Sequence, residues 1–142
     1  MKLTDHFSLS EFEVTSTGLD NKIPEFCVLS NIELICHDLE HIRCLLSVKL
    51  NKSTPIRITS GYRSFAVNKA VGGVPNSLHL LGRAVDFTCN DFDSLLSVIE
   101  DLVKYDDDFE FDQIIVYRKR KFIHFGMTRF ISDTPRKQVL YK

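Results

Sequence analysis

The sequence lacks a strong charge of either sign. Its 18 lysines and arginines nearly balance its 19 aspartates and glutamates, so the formal net charge is −1. A protein that tracks nucleic-acid phosphates or an anionic lipid surface generally carries an excess of basic residues. The one basic run, RKRK at Arg118 to Lys121, lies between two apolar segments and is interpreted as a solvated hairpin loop. We therefore expect no nucleic-acid partner.

Long apolar runs are also missing. No segment approaches the roughly 20 residues of a membrane span, and the N-terminal MKLTDHFSLSEF contains no apolar core of the length that a secretory signal needs. We expect synthesis in a cytoplasm without a signal peptide, and no membrane insertion. The cysteines form no CxxC pair, and we predict that they are small buried hydrophobic residues of a reducing compartment: Cys27, Cys36, Cys44 and Cys89.

The length of 142 residues, with 44% hydrophobic and 26% charged residues, is typical of one globular domain spanning residues 1–142. Two capping boxes indicate helix starts: Ser8 with Glu11, and Ser30 with Glu33 before a helix over about residues 31–48. Apolar residues recur at helical spacing in this second helix: Ile32, Ile35, Leu39, Ile42 and Leu46. Further helices are predicted after Ser64 and in NDFDSLLSVIEDLVKY.

Short alternating or apolar segments predict the strands, which are PIRIT, RAVDFTC, FDQIIVY, KFIHFGM and, in the tail, KQVLY. Strands and helices are mixed without regular βαβ alternation. This pattern favours an α+β fold with a mainly antiparallel sheet flanked by helices.

One candidate metal pair lies in HDLEH, which fits the H-x-x-E-H pattern of one metallopeptidase class. The spacing places His37 and His41 on the same side of a helix, as a zinc pair requires. At about 100° per residue, however, they fall nearly opposite the apolar stripe and face solvent. Since this helix offers neither a sheltered pocket nor a third ligand, we interpret the pentapeptide as a solvated helix face.

A second candidate consists of His79, Asp86 and His124. His79 lies on a loop, whereas Asp86 and His124 lie within predicted strands. An isolated carboxylate in such a strand is costly unless it is paired or binds a metal. Catalytic zinc typically takes three His, Asp or Glu ligands and leaves a fourth position for water. The residues alone leave two interpretations open, a ligand triad or a combination of a capped loop, a buried salt bridge and a core histidine.

The pattern Ser77-x-His79-x-x-Gly82-x-Ala84-x-Asp86 resembles the signature of the zinc D-alanyl-D-alanine carboxypeptidase and L-alanyl-D-glutamate endopeptidase family. The fold of this family is shared with lysostaphin-type enzymes and the hedgehog signalling domain. The resemblance extends over most of the chain, because further segments follow in the family's order: FSLSEF, SGYRS, Asn68, VGG, FDQII and FIHF.

The resemblance implies roles for particular residues. It implies one Zn²⁺ per chain, held by His79, Asp86 and His124. Arg63, in SGYRS, is similar to an arginine that faces the reacting carbonyl or a substrate carboxylate, a role suited to a permanently charged side chain with paired donors. The alternative is a surface arginine after a turn. Ser77 either lines the substrate site or caps the loop.

The general base is where the sequence departs from the family. Many relatives carry an acid three residues before the last zinc histidine, and some carry a histidine two residues before it. Here these positions are Lys121 and Phe122. Another branch carries a glutamate on the preceding strand, and the nearest position here is Tyr117.

The acids that remain nearby are Asp112 and Glu110, and we assign the base to Asp112. This assignment depends on the register of the hairpin, because a shift of one residue reverses the face on which a side chain lies. A three-residue loop, 118–120, would place Asp112 on the face of His124. A loop of two or four residues would place Tyr117 and Gln113 there instead.

The function that the resemblance implies is a zinc-dependent peptidase that cuts peptide stems or crosslinks of bacterial peptidoglycan. It would be a D-Ala-D-Ala carboxypeptidase or an endolysin-type endopeptidase. The segments are similar to those of short versions carried by bacteriophages, so we expect a monomer that is made in the host cytoplasm and acts on the periplasmic cell wall. The alternative is a catalytically weak, zinc-stabilised module that binds wall peptides or another protein; the missing family acid favours it, and the complete ligand set argues against it.

Overall fold

The predicted strands form one five-stranded sheet in the computed structural model, which describes residues 1–142. The strands are β1 (Arg57–Ser60), β2 (Ala84–Thr88), β3 (Gln113–Tyr117), β4 (Phe122–Gly126) and β5 (Gln138–Tyr141), in the spatial order β1-β2-β4-β3-β5. Neighbouring strands are antiparallel except for β3 and β5, which are parallel. The predicted α+β class with a mainly antiparallel sheet flanked by helices is confirmed.

The helices are α1 (Leu9–Glu13), α2 (Phe26–Leu50), α3 (Phe65–Ala70) and α4 (Phe92–Tyr105), with a short 3₁₀ helix at Leu78–Leu81. The capping box before α1 is confirmed, since the backbone N–H of Ser8 donates to Glu11 Oε2 at 2.7 Å. Ser64 and Asp91 cap α3 and α4 by accepting backbone N–H groups.

The predicted start of the long helix is wrong, because α2 begins at Phe26 and passes through the expected cap at Ser30. The helix thus has an additional N-terminal turn, which contains Val28, and the Val28 side chain joins the row of buried apolar residues along α2. Val28 also packs closely on Gly82, where a Cβ would meet the Val28 carbonyl oxygen at 2.8 Å. Burial of Val28 against this glycine stabilises a turn that the local capping signals do not predict.

The two faces of the sheet have different surroundings. One face joins α2 and α4 in a core of 25 buried residues. The core residues of the three central strands alternate along each strand and comprise Val85, Phe87, Ile114, Val116, Ile123 and Phe125. Because successive side chains point to opposite faces, the residues between them lie on the other face. There they line an open cleft.

The cysteines only partly match the prediction of burial. Cys36 and Cys89 are buried, but Cys27 and Cys44 are exposed, and all four are free thiols. None of the helices is both long enough and apolar enough to cross a membrane.

Candidate metal centre and cleft

Two ligand candidates are brought together by the pairing of β2 with β4. Asp86 and His124 are direct partners in this antiparallel pair, and their side chains lie on the cleft face. His124 Nδ1 lies 2.7 Å from Asp86 Oδ1. Strand register alone therefore places a carboxylate and an imidazole side by side.

His79 reaches the same point from the 3₁₀ helix. Ser77 caps this helix, because its hydroxyl accepts the backbone N–H of His79 at 3.3 Å. Gly82 then turns the chain into β2 with φ +67°, a conformation that glycine adopts without strain. The His79 side chain is buried, and its Nε2 lies 3.4 Å from Asp86 Oδ1.

The second nitrogen of His79 fixes the orientation of its ring. Nδ1 lies 2.7 Å from the carbonyl oxygen of Gly61, to which it donates in the neutral tautomer. Nε2 then carries the lone pair and points toward Asp86. A hydrogen bond from the second nitrogen to a carbonyl is typical of histidines that bind metals.

The charge state of Asp86 also suits a ligand. Burial raises the pKa of this carboxyl, but hydrogen bonds and charge from His124 and His79 outweigh burial and bring the pKa well below its ordinary value. Asp86 is therefore a carboxylate at neutral pH.

The three residues fit a zinc ion. One ligand atom from each of His79, Asp86 and His124 lies within 4.8 Å of the other two, and no fourth Asp, Glu, His or Cys joins the cluster. Two imidazole nitrogens and one carboxylate oxygen are donors that zinc accepts, and a set of three leaves a coordination position open.

Arg63 lies beside the triad and is not a free surface arginine. Its Nη2 is 3.7 Å from Asp86 Oδ2. Its Nε donates to Ser60 Oγ at 3.2 Å, and its Nη1 donates to Asn68 Oδ1 at 3.4 Å. These contacts hold the guanidinium against the carboxylate of the candidate metal site.

Asn68 is a supporting residue to which the sequence assigned no role. It is buried, and its Nδ2 donates to the carbonyl oxygen of Val74 at 2.8 Å while its Oδ1 accepts from Arg63. Asn68 thereby links α3 and the following loop to Arg63. The only signal in the sequence was its place among the segments of the family resemblance.

The cleft above the triad has a volume of about 1270 Å³ and is open to solvent. Arg63 and Ser77 line it, so Ser77 both caps the 3₁₀ helix and contributes to the cleft. The basic hairpin turn is confirmed at residues 118–121 and is exposed. Two of its residues, Arg120 and Lys121, also line the cleft.

The three-residue hairpin loop, which would have placed Asp112 on the face of His124, is wrong. Tyr117 pairs with Phe122, so the hairpin loop has four residues rather than three. Ile115 consequently lies opposite His124, and Gln113 and Tyr117 lie on the same face as Ile115.

The carboxylate of Asp112 is instead used to hold the tail. Arg136 donates to Asp112 Oδ2 from Nη2 at 2.8 Å and from Nε at 3.1 Å, and its backbone N–H donates to Oδ1 at 2.9 Å. The Arg136 hydrogen bonds bring the pKa of Asp112 below its ordinary value. Glu110, the other acid considered, is exposed and does not line the cleft. Of the three residues considered for the general base, which are Asp112, Glu110 and Tyr117, only Tyr117 lines the cleft.

HDLEH lies on the solvent side of α2, as expected. His37 and His41 are exposed, and the nearest acid to His41 Nε2 is Asp106, at 3.9 Å. No third ligand completes a metal site on this helix.

A His-Asp-His triad beside an arginine in an open cleft, supported by an α+β sheet, fits the class of metal-dependent hydrolases. The family model of peptidase M15 matches residues 5–126. The match includes the whole triad and Arg63 and covers most of the chain, so the protein belongs to the peptidase M15 family. Membership supports a zinc metallopeptidase. No curated protein matches the sequence significantly.

Proposed function

We propose that this protein is a zinc-dependent peptidase that hydrolyses a peptide bond in the stems or crosslinks of bacterial peptidoglycan. The observation that carries the proposal is the convergence of His79, Asp86 and His124 beside Arg63 in an open cleft. Zinc, when bound, supplies a Lewis acid that polarises a carbonyl and lowers the pKa of water.

Arg63 has two functions in this proposal. Its contact with Asp86 orients the carboxylate, and its fixed positive charge stabilises the negative charge that develops on the scissile carbonyl oxygen. Because Ser60 and Asn68 already hold the guanidinium, little reorganisation is needed when substrate arrives. A preorganised cation contributes more to catalysis than one that must be ordered during the reaction.

The dimensions of the cleft favour a peptide over a small metabolite. Its volume of about 1270 Å³ exceeds the roughly 300–1,000 Å³ typical of small-molecule pockets. An open cleft of this size accommodates residues on both sides of a bond, as hydrolysis of a peptide attached to a polymer requires. The proposed place of action is the cell wall, as for the endolysin-type proteins that the sequence resembles.

A second candidate function follows from the composition of the triad's surroundings. Apart from Asp86, the acids that line the cleft are Asp91 and Asp93, which lie at the start of α4, and neither joins the metal cluster. Without an adjacent carboxylate to accept a proton, hydrolysis is slow. The protein would then act mainly as a zinc-stabilised module that binds wall peptides.

Mass spectrometry of defined peptidoglycan fragments, incubated with the zinc-loaded protein, tests both candidates. The matched control is His124→Ala, which removes one ligand. Cleavage by the wild type alone supports the peptidase, and the masses of the products distinguish a carboxypeptidase from an endopeptidase. Intact fragments that nevertheless bind to the zinc-loaded protein favour the binding module.

A further inference from the structure

The cleft continues beyond the metal triad toward the β3–β4 turn. Asp86, His124 and Ile115 form one row across the cleft face of the sheet. Two residues further along β4 and β3, Phe122 and Tyr117 form the next row. Since antiparallel strands rise about 3.4 Å per residue, this second row lies roughly 7 Å from the first.

Cations without partners border this second row. Arg57 on β1 pairs with Thr88 at the end of β2, and Arg120 and Lys121 approach from the turn. All three are exposed cleft residues, and none has a carboxylate oxygen within 4.0 Å. This arrangement differs from that of Arg63, whose donors are already engaged.

The backbone of the turn is held in place by hydrogen bonds. The N–H of Lys121 donates to the Tyr117 carbonyl at 2.8 Å, and the Thr88 hydroxyl donates to the Lys121 carbonyl at 2.6 Å. The guanidinium carbon of Arg120 lies 5.1 Å from the centre of the Phe122 ring, which is itself stacked on Tyr117 at 4.3 Å. Arg120 is thus a charge beside an aromatic platform rather than a freely mobile side chain.

The acids of the cleft leave these cations available. Asp91 accepts the backbone N–H of Ser94 as the cap of α4, and Asp93 lies in the first turn of that helix. Neither forms an ion pair with Arg57 or Arg120 at 4.0 Å or less. The turn side of the cleft therefore has unneutralised positive charge.

We propose that Arg120, beside the Phe122–Tyr117 platform, and Arg57, which borders the same cleft from β1, form a subsite that binds a free carboxylate of the substrate. The scissile carbonyl would lie at the metal triad, roughly 7 Å from this subsite. That distance fits a backbone carboxylate about two extended residues away along the peptide, or the acidic side chain of the residue next to the scissile bond. The inference rests on the proposed peptidase function and narrows its substrate class to acidic peptides. Arginine suits this role because its fork of donors matches a carboxylate.

Equilibrium binding tests the subsite independently of turnover. A synthetic stem peptide with free carboxylates and the same peptide with amidated carboxyls, both N-methylated at their peptide bonds to block hydrolysis, are titrated into the zinc-loaded protein by isothermal calorimetry. We expect the wild type to bind the acidic peptide about tenfold more tightly, the ratio that 1.4 kcal/mol produces. Arg120→Gln and Arg57→Gln should each reduce this preference, whereas Arg120→Lys should retain part of it.

The matched control is Arg118→Gln. Arg118 lies in the same turn, but its guanidinium carbon is 4.6 Å from the Tyr141 ring, and it does not line the cleft. This variant should retain the full preference for the acidic peptide. Thermal denaturation of each variant verifies that the fold is intact.

The outcomes separate the subsite from the peptidase function. Equal affinity of the wild type for the two peptides overturns the subsite, even if the protein cleaves the unmethylated forms of both. Selective binding of the acidic peptide without hydrolysis supports the subsite and contradicts the peptidase proposal alone. Salt-dependent binding of single-stranded DNA that Arg120→Gln abolishes, with no preference between peptides, overturns the subsite in favour of a nucleic-acid surface.

Discussion

The Nδ1 of His79 lies 2.7 Å from the carbonyl oxygen of Gly61. Gly61 in turn lies against the backbone of α1, since a Cβ at this position would approach the Phe12 Cα to 2.6 Å. The N-terminal helix therefore fixes the position of a carbonyl that orients the ring of His79, one of the candidate metal ligands. Packing between α1 and Gly61 is in this way coupled to the geometry of the candidate metal site.

This relationship predicts that Gly61→Ala weakens zinc binding without changing any ligand. The added Cβ forces the backbone away from Phe12 and displaces the carbonyl that accepts from His79. Loss of such a supporting hydrogen bond typically costs about 10–100-fold in metal affinity, which competition with a chelator measures. Gly18→Ala is the control, because nothing lies within 4 Å of a Cβ there; at φ +74° the alanine lowers stability, which thermal denaturation measures separately, and zinc affinity should be unchanged. Unchanged zinc affinity of Gly61→Ala would show that the carbonyl is dispensable.

We predict that His79→Ala, Asp86→Ala and His124→Ala each abolish stoichiometric zinc binding, because two remaining donors hold zinc poorly. Elemental analysis of the purified protein measures the zinc content. His37→Ala and His41→Ala are controls that should retain one zinc per chain, since both histidines are exposed on α2. Full zinc content in the Asp86 variant would overturn the assignment of the metal site.

Arg63→Lys should lower kcat by about 100-fold, with a smaller change in KM. A lysine retains the charge but cannot simultaneously reproduce the contacts with Ser60, Asn68 and Asp86. Loss of one preorganised donor at a developing oxyanion costs roughly this much. Steady-state kinetics at saturating zinc measures the effect. Arg43→Lys, on α2 and bound to Ser53, is the control and should leave kcat unchanged; an equal kcat for Arg63→Lys would exclude the proposed role.

The pair of Asp112 and Arg136 should contribute to stability rather than to catalysis. We expect Asp112→Asn to lower the free energy of unfolding at pH 7 by about 1–2 kcal/mol. This value is below that of a fully buried ion pair, because the Arg136 side chain is largely exposed and solvent screens its charge. Because Arg136 brings the folded-state pKa of Asp112 below its ordinary value, the contribution is complete above the unfolded pKa of about 3.9 and is lost as the pH falls through the folded pKa.

Urea denaturation at pH 7 and at pH 3 measures this dependence. The difference in stability between wild type and Asp112→Asn should be smaller at pH 3, because part of the carboxylate is then protonated. Peptidase activity at pH 7 should be retained by the variant. A loss of kcat without a loss of stability would restore Asp112 as a candidate for the general base.

The thiols should react in two groups. Cys27 and Cys44 are exposed, whereas burial raises the pKa of Cys36 to about 12 and also raises that of Cys89. A thiol reagent at pH 8 should therefore modify two cysteines in the native protein and all four after denaturation. Cys27 should react more slowly than Cys44, because a hydrogen bond to Glu25 raises the pKa of its thiol. Rapid modification of all four thiols in the native state would contradict the burial of Cys36 and Cys89.

Much of the secondary structure could be predicted because its signals are local. Ser8 and Glu11 form the predicted capping box, and alternating apolar residues identify the strands that the sheet contains. The start of α2 could not be predicted in this way. Its first turn depends on the packing of Val28 against Gly82, a residue distant in sequence.

The sequence by itself, through its resemblance to the peptidase family, identified His79, Asp86 and His124 as the candidate metal ligands, whereas their spacing alone left a buried salt bridge and a core histidine open. Tertiary structure decided which other groups share their cleft. The β3–β4 turn has four residues, with Lys121 at φ +57°, and no glycine indicates this left-handed position. Since side chains alternate with a period of two, that one extra residue places Tyr117 on the face of His124 and leaves Asp112 to bind Arg136.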